Sequence, residues 1–151
     1  MKPDEQHLVR LLQDFERLDK VLETLAAIDS RIRVSKDAQE MSILATSAAY
    51  ELQQLYTGFE KVIERHLRFT GSIVTPGGAY HKQLLSWALN EKLVATKIDT
   101  DFLTDLLGFR HFVRSAYGIE LRQSETFQKV RKAIKRWPLI AKRLKNRVGL
   151  I

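Results

Sequence analysis

Apolar positions recur along this chain in steps of three and four, the signature of helix faces, and no stretch shows the two-residue alternation of a strand. Asp4 is a helix-capping residue, and behind it Leu8, Leu11, Leu12, Phe15, Leu18, Leu22, Leu25 and Ile32 form one stripe. This predicts a first helix ending near Val34. Ser35 is the expected cap of the second helix, with Asp37 and Glu40 at the positive end of its dipole. The second helix, roughly 36 to 69, carries Met41, Leu44, Ala48, Leu52, Leu55, Phe59, Val62 and Leu67. Gly58 lies inside it. A mid-helix glycine costs up to ~1 kcal/mol against alanine, so close packing or a local bend is expected there.

Pro76-Gly-Gly78 is a strong turn signal. A short helix is expected over about 79 to 90, with Leu84, Leu85, Trp87, Ala88 and Leu89, followed by a connection over 91 to 99. Thr100 is the expected cap of the next helix, which holds Phe102, Leu103, Leu106, Leu107, Phe109, Val113 and Ala116 and stops at Gly118. The last helix starts near Ser124 and carries Phe127, Val130, Ile134, Trp137, Leu139, Ile140, Leu144 and Val148. Pro138 is expected to kink or divide it at about Arg136. The predicted fold is all-α, an antiparallel bundle of four main helices with a short helix inserted after the second.

Length and composition narrow the function classes. A chain of 151 residues fits a single domain, taken as 1–151. The absence of cysteine excludes disulfides, thiol catalysis and cysteine-ligated zinc, and it suits a reducing cytoplasm. No apolar run is long enough for a membrane span, and the first residues lead into a charged helix rather than a secretory signal, so a cytoplasmic protein without a membrane association is expected. The net charge is +7. From 121 to 151 there are ten basic residues and one acid, a balance of +9, so the rest of the chain is slightly acidic. A basic end of this kind suits a polyanion or an acidic protein partner; the alternative is a solvated helix face.

Candidate chemistry concentrates in Gly108-Phe-Arg-His-Phe-Val-Arg-Ser-Ala-Tyr-Gly118. At 100° per residue, Arg110, Arg114 and Tyr117 share one side of a helix, and His111 and Ser115 share the adjacent side. Two arginines and a tyrosine make a phosphate-binding surface with a stacking ring, and a histidine beside them offers an acid or base. The alternative is structural: Arg110 pairs with Glu60 or Glu64, His111 is a satisfied core histidine, and Tyr117 is packing. The four histidines, His7, His66, His81 and His111, show no metal-ligand spacing, and no cofactor motif is present. No Gly-x-Ser-x-Gly elbow occurs, and the acidic pairs read as helix-surface charges, which leaves two-carboxylate glycosidase chemistry without support.

Three ordered blocks carry a resemblance. Phe109-Arg-His-Phe-Val-Arg-Ser-Ala-Tyr-Gly-Ile-Glu-Leu121 resembles the signature of the HepT-like branch of the HEPN superfamily, an Arg-x4-His-x-Tyr motif at a helix end. Tyr56-Thr-Gly-Phe-Glu-Lys-Val-Ile-Glu-Arg65 is similar to the family's second-helix block, and Gly78-Ala-Tyr-His-Lys-Gln-Leu-Leu85 to its Trp-His-x-x-Leu-Leu block. The resemblance spans roughly 44 to 147. It implies a homodimeric helical bundle, a toxin-type, metal-independent ribonuclease acting on RNA, and a minimal nucleotidyltransferase antitoxin as partner. In some relatives that antitoxin adenylylates the motif tyrosine. Carried over, Arg110 matches the motif arginine that holds the scissile phosphate, and Tyr117 matches the modifiable tyrosine. The motif histidine falls on Ser115. Serine cannot replace imidazole as a base, and general acid–base catalysis contributes typically ~10²–10⁴-fold, so the resemblance implies weakened or lost cleavage. His111, one turn earlier, is the alternative imidazole for an active ribonuclease. A third reading is a non-enzymatic adaptor that binds nucleic acid or the nucleotidyltransferase.

Overall fold

Two long helices set the frame. In the computed structural model, which describes residues 4–72, 77–94, 96–115 and 122–151, α1 is Glu5–Val34 and α2 is Ala38–Phe69. At 1.5 Å per residue they are about 45 and 48 Å long. Three residues join them, so they must run antiparallel. The ion pair of Arg31 with Glu40 lies at the connected end and that of Arg65 with Asp14, at 2.6 Å, toward the other. The Asp4 carboxylate caps α1 by accepting from the His7 N–H. The cap of α2 is Asp37, which accepts from the Gln39 N–H, and not Ser35. Ser35 instead closes α1, its N–H donating to the Arg31 carbonyl while its hydroxyl donates to Glu40. Both residues are good caps by type; the chain needed one stop and one start, and spacing along the helix stripes did not distinguish them.

Three further helices complete the described residues, which contain no strand: α3 (Tyr80–Asn90), α4 (Lys97–Ser115) and α5 (Gln123–Arg147). Asp29 lies 3.7 Å from Arg131, and Lys145 sits over the Phe15 ring, so α5 runs antiparallel to α1. Asp99 binds Arg136 and Arg143, and Phe109 lies under Lys129, so α4 runs antiparallel to α5. The four long helices therefore alternate in direction along the chain, with α3 packed on α2 and α4. This is the expected all-α architecture.

Helix α4 begins four residues earlier than expected. The Thr96 hydroxyl accepts from the Asp99 N–H, so Thr96 and not Thr100 satisfies the first turn, and 97 to 99 are helix rather than connection. The early start matters because it buries Asp99 completely, where its carboxylate accepts from Arg136 Nε and Nη2 at 2.8 and 2.7 Å and from Arg143 Nη1 at 3.0 Å. The expected stop at Gly118, with Ala116 before it, lies outside the described residues, as does Pro76 of the turn signal. Gly71, at φ +80°, supplies the left-handed step that ends α2.

The core is assembled from all five helices around Phe15, Tyr56, Phe59 and Trp137, each essentially without exposure. Phe59 and Trp137 meet edge to face at 6.3 Å, a favoured aromatic geometry. Gly58 is a close-packing position: a Cβ there would stand 2.3 Å from Leu18 Cδ2. Two stripe positions differ from expectation. Leu12 and Leu139 are about half exposed: Leu12 lies past the edge of the buried arc of α1, and Leu139, two residues after the buried Trp137, lies on the opposite side of α5. Pro138 does not divide α5, which is one continuous helix through it. Proline is exposed there, and Trp137 and Ile140 on either side anchor the helix in the core.

Candidate functional site

The site is built where α2, α3 and α4 meet. The α2 stripe that buries Leu52, Leu55, Phe59 and Val62 also buries Tyr56 and Glu60, one turn apart. Glu60 is only 5% exposed, and a carboxylate so buried must be paired. Arg110 of α4 donates from Nη1 to Glu60 Oε1 at 2.8 Å. His81, in the first turn of α3, places Nδ1 2.8 Å from Glu60 Oε2 and 3.0 Å from Oε1. Arg110 Nη1 and His81 Nδ1 are 3.2 Å apart. A carboxylate only accepts, so His81 Nδ1 must carry the proton in its bond to Glu60, and Nε2 is then the basic nitrogen of the neutral ring.

A second layer extends the cluster. The Tyr80 hydroxyl donates to Glu64 Oε2 at 2.6 Å. Burial, together with that bond, pushes its pKa up to about 12, so it stays a hydroxyl donor. Tyr56 is fully buried, and its hydroxyl has no hydrogen-bond partner among the described residues. Burial first and then the Glu60 charge raise its pKa well above the ordinary tyrosine value, with Arg110 opposing. His111 sits on the exposed side of α4, its ring edge-on to His81 at 5.9 Å between centroids.

Of the residues singled out from the sequence, Arg110 and His111 come together here with Glu60 and His81. Arg110 takes the pairing with Glu60 that was one of the two open readings, while His111 is surface rather than core. Arg114 and Ser115 occupy the last turn of α4, and their side chains lie outside the described residues, as Tyr117 does entirely. Three single acidic residues, Glu60, Asp14 and Asp99, are buried and ion-paired rather than helix-surface charges. Glu60 and His81 went unassigned as site residues because their spacing in sequence, 21 residues apart on different helices, has no local signal. Their appearance in the first two blocks of the resemblance was the available hint. Among the described residues no group of three or more acidic or histidine side chains is placed to hold a metal ion.

Two neighbouring surfaces bear on the site. A cavity of about 420 Å³ opens between the start of α1 and the end of α2, lined by His7, Arg10, Lys61, Glu64, Arg65 and Arg68 among others. Glu64 is common to this cavity and to the Tyr80 bond. The basic α5 is less available than its sequence suggests. Arg136 and Arg143 are held by Asp99, Arg131 lies against Asp29, and Lys129 and Lys145 cover aromatic rings. Lys132, Lys135, Lys142 and Arg147 are exposed. No described helix is long and apolar enough to cross a membrane.

No curated protein and no solved structure matches the chain. A family model described as HepT-like protein matches residues 47–148, about two thirds of the chain. The matched span contains the residues of the site, from the Tyr56–Glu60 turn of α2 through His81 to Arg110. With an all-α bundle, the ordered blocks and this match in agreement, the chain belongs to the HepT-like family.

Proposed function

We propose that this chain is the RNA-directed toxin component of a toxin–antitoxin pair, with ribonuclease activity weakened because Ser115 stands at the motif histidine. The observation that carries the reading is the setting of Arg110. Its guanidinium is held through Nη1 by a buried carboxylate, beside the His81 ring, which His111 meets edge-on. A guanidinium has five N–H donors in a planar fork, and among the described residues Arg110 uses only Nη1, so Nη2 and Nε are the nitrogens suited to two oxygens of a phosphate. A pre-positioned arginine loses little side-chain freedom on binding, which favours a phosphodiester over a freely hydrated lysine contact. The functional unit in this reading is a cytoplasmic homodimer restrained by a minimal nucleotidyltransferase antitoxin, with Tyr117 as the residue it adenylylates. The exposed lysines of α5 add sequence-independent contacts to the RNA backbone.

The test compares wild type, Ser115→His and Arg110→Lys on a single-stranded RNA without added metal. Ser115→His should cleave about 10²-fold faster or more, the contribution of a restored acid–base group. Arg110→Lys keeps the charge but loses the fork, and it should weaken RNA binding. Wild type cleaving as fast as Ser115→His, or RNA affinity indifferent to Arg110, would reject the reading.

A further inference from the structure

The cluster contains an imidazole that the helix-end motif does not include. His81 comes from α3, yet it lies against the same buried carboxylate that holds Arg110. Two features distinguish it from a packing histidine. Glu60 engages Nδ1 alone, which sets the tautomer and leaves Nε2 as the base. The ring is about one-quarter exposed and faces His111 across 5.9 Å, so it lies at the surface of the cluster rather than within the core. A carboxylate orienting the far nitrogen of an imidazole, next to a fixed cation, is the arrangement a proton-transferring histidine needs. By contrast, His7 and His66 each have a buried ring nitrogen without a partner and no cation held beside them by a shared carboxylate.

We infer that His81, oriented by Glu60, is the proton-exchanging residue for the RNA cleavage that this chain retains at the Arg110 site. The inference rests on the RNA-directed reading above. In the step it assigns, His81 Nε2 takes the proton of a ribose 2′-hydroxyl. The 2′-oxygen bonds to the adjacent phosphorus, and the bond from phosphorus to the 5′-oxygen breaks, its electron pair leaving on that oxygen. The leaving oxygen takes a proton from the imidazolium or from water. The products are a 2′,3′-cyclic phosphate end and a 5′-hydroxyl end, with nothing oxidised or reduced. Arg110 neutralises the phosphate oxygens while charge builds on them. Glu60 is a positioning residue, since it reaches the reacting atoms only through His81 and Arg110.

The experiment measures binding and cleavage of one fluorescent single-stranded RNA by full-length wild type, His81→Ala, His81→Asn and Glu60→Gln, with chelator present. Wild type should cleave slowly and leave cyclic phosphate ends. His81→Ala should lose about 10²-fold or more, and added free imidazole should restore part of that loss. Asparagine can donate to Glu60 as Nδ1 does but cannot accept a proton, so His81→Asn should keep the helical content and RNA affinity of wild type while losing cleavage. Glu60→Gln keeps an acceptor for Arg110 but loses the charge that orients His81, so it should lower kcat by a larger factor than it raises KM for RNA. Wild-type rates in both His81 variants, cleavage lost on replacing His111 but not His81, or no cleavage by wild type despite Arg110-dependent RNA binding would each overturn the assignment while leaving the RNA-directed reading in place. Absence of Arg110-dependent RNA binding would instead remove that reading.

Discussion

Replacing Gly58 by alanine tests the packing that places α1 against the site-bearing helix. By intrinsic propensity the change should help, since alanine is favoured over glycine in a helix interior by about 1 kcal/mol. The new methyl, however, would stand 2.3 Å from Leu18 Cδ2 and 3.0 Å from its Cγ. Ordinary carbon contacts are about 3.5–4.0 Å, so an overlap of roughly 1 Å must be relieved. Leu18 is 1% exposed, and its own neighbours block the movement that would relieve it. Overpacking of this kind costs about 1–3 kcal/mol, which leaves a net destabilisation near 1 kcal/mol after the helix gain is subtracted. The sign should reverse in a Leu18→Ala background. Leu18→Ala alone should cost about 2–5 kcal/mol, and the alanine at 58 then grows into vacated space. Urea unfolding of the four proteins, at one protein concentration, closes the cycle. The expected coupling is about 2 kcal/mol. A stabilising Gly58→Ala in the wild-type background, or strictly additive changes, would refute the close approach of the two helices.

Two further outcomes follow from buried charge. Asp99→Ala should cost about 3 kcal/mol in urea unfolding, the lower end for breaking a buried pair, because Arg136 and Arg143 are 19% and 43% exposed and recover some hydration; a loss below about 1 kcal/mol would place the cluster with ordinary surface pairs. Stability should also fall as pH drops below the ordinary histidine value of 6.5, because burial lowers the pKa of both His7 and His66. The Asp4 charge partly opposes the shift at His7, and the neighbouring His7 and Arg147 charges reinforce it at His66. The sign follows from proton counting: below that pH the unfolded chain binds protons that the folded chain resists, so acid favours unfolding until the lowered folded values are passed. The urea midpoint should therefore be lower at about pH 5.5 than at about pH 7.5, and a His7→Phe, His66→Leu double variant should flatten that difference. An unchanged slope would assign the effect to other groups.

The helix stripes were legible in sequence because burial on a helix imposes a period that survives without any knowledge of neighbours. Leu11, Phe15, Leu18 and Leu25, or Leu52, Leu55, Phe59 and Val62, declare their faces by spacing alone, and the all-α bundle follows from them. Arg110 could likewise be singled out, as a cation inside an apolar stripe. Boundaries were less legible. Ser35 and Asp37, or Thr96 and Thr100, are equivalent by type, and only the backbone shows which side chain meets an unsatisfied N–H. Tertiary structure alone decided the electrostatics. Asp99 reads as a polar residue in a connection until two arginines some 40 residues later close over it. Glu60 reads as one more charge on α2 until α3 and α4 bring His81 and Arg110 to its two oxygens. Period is a local property of one helix, whereas the partner of a buried charge depends on how three helices pack, and no spacing along the chain records that.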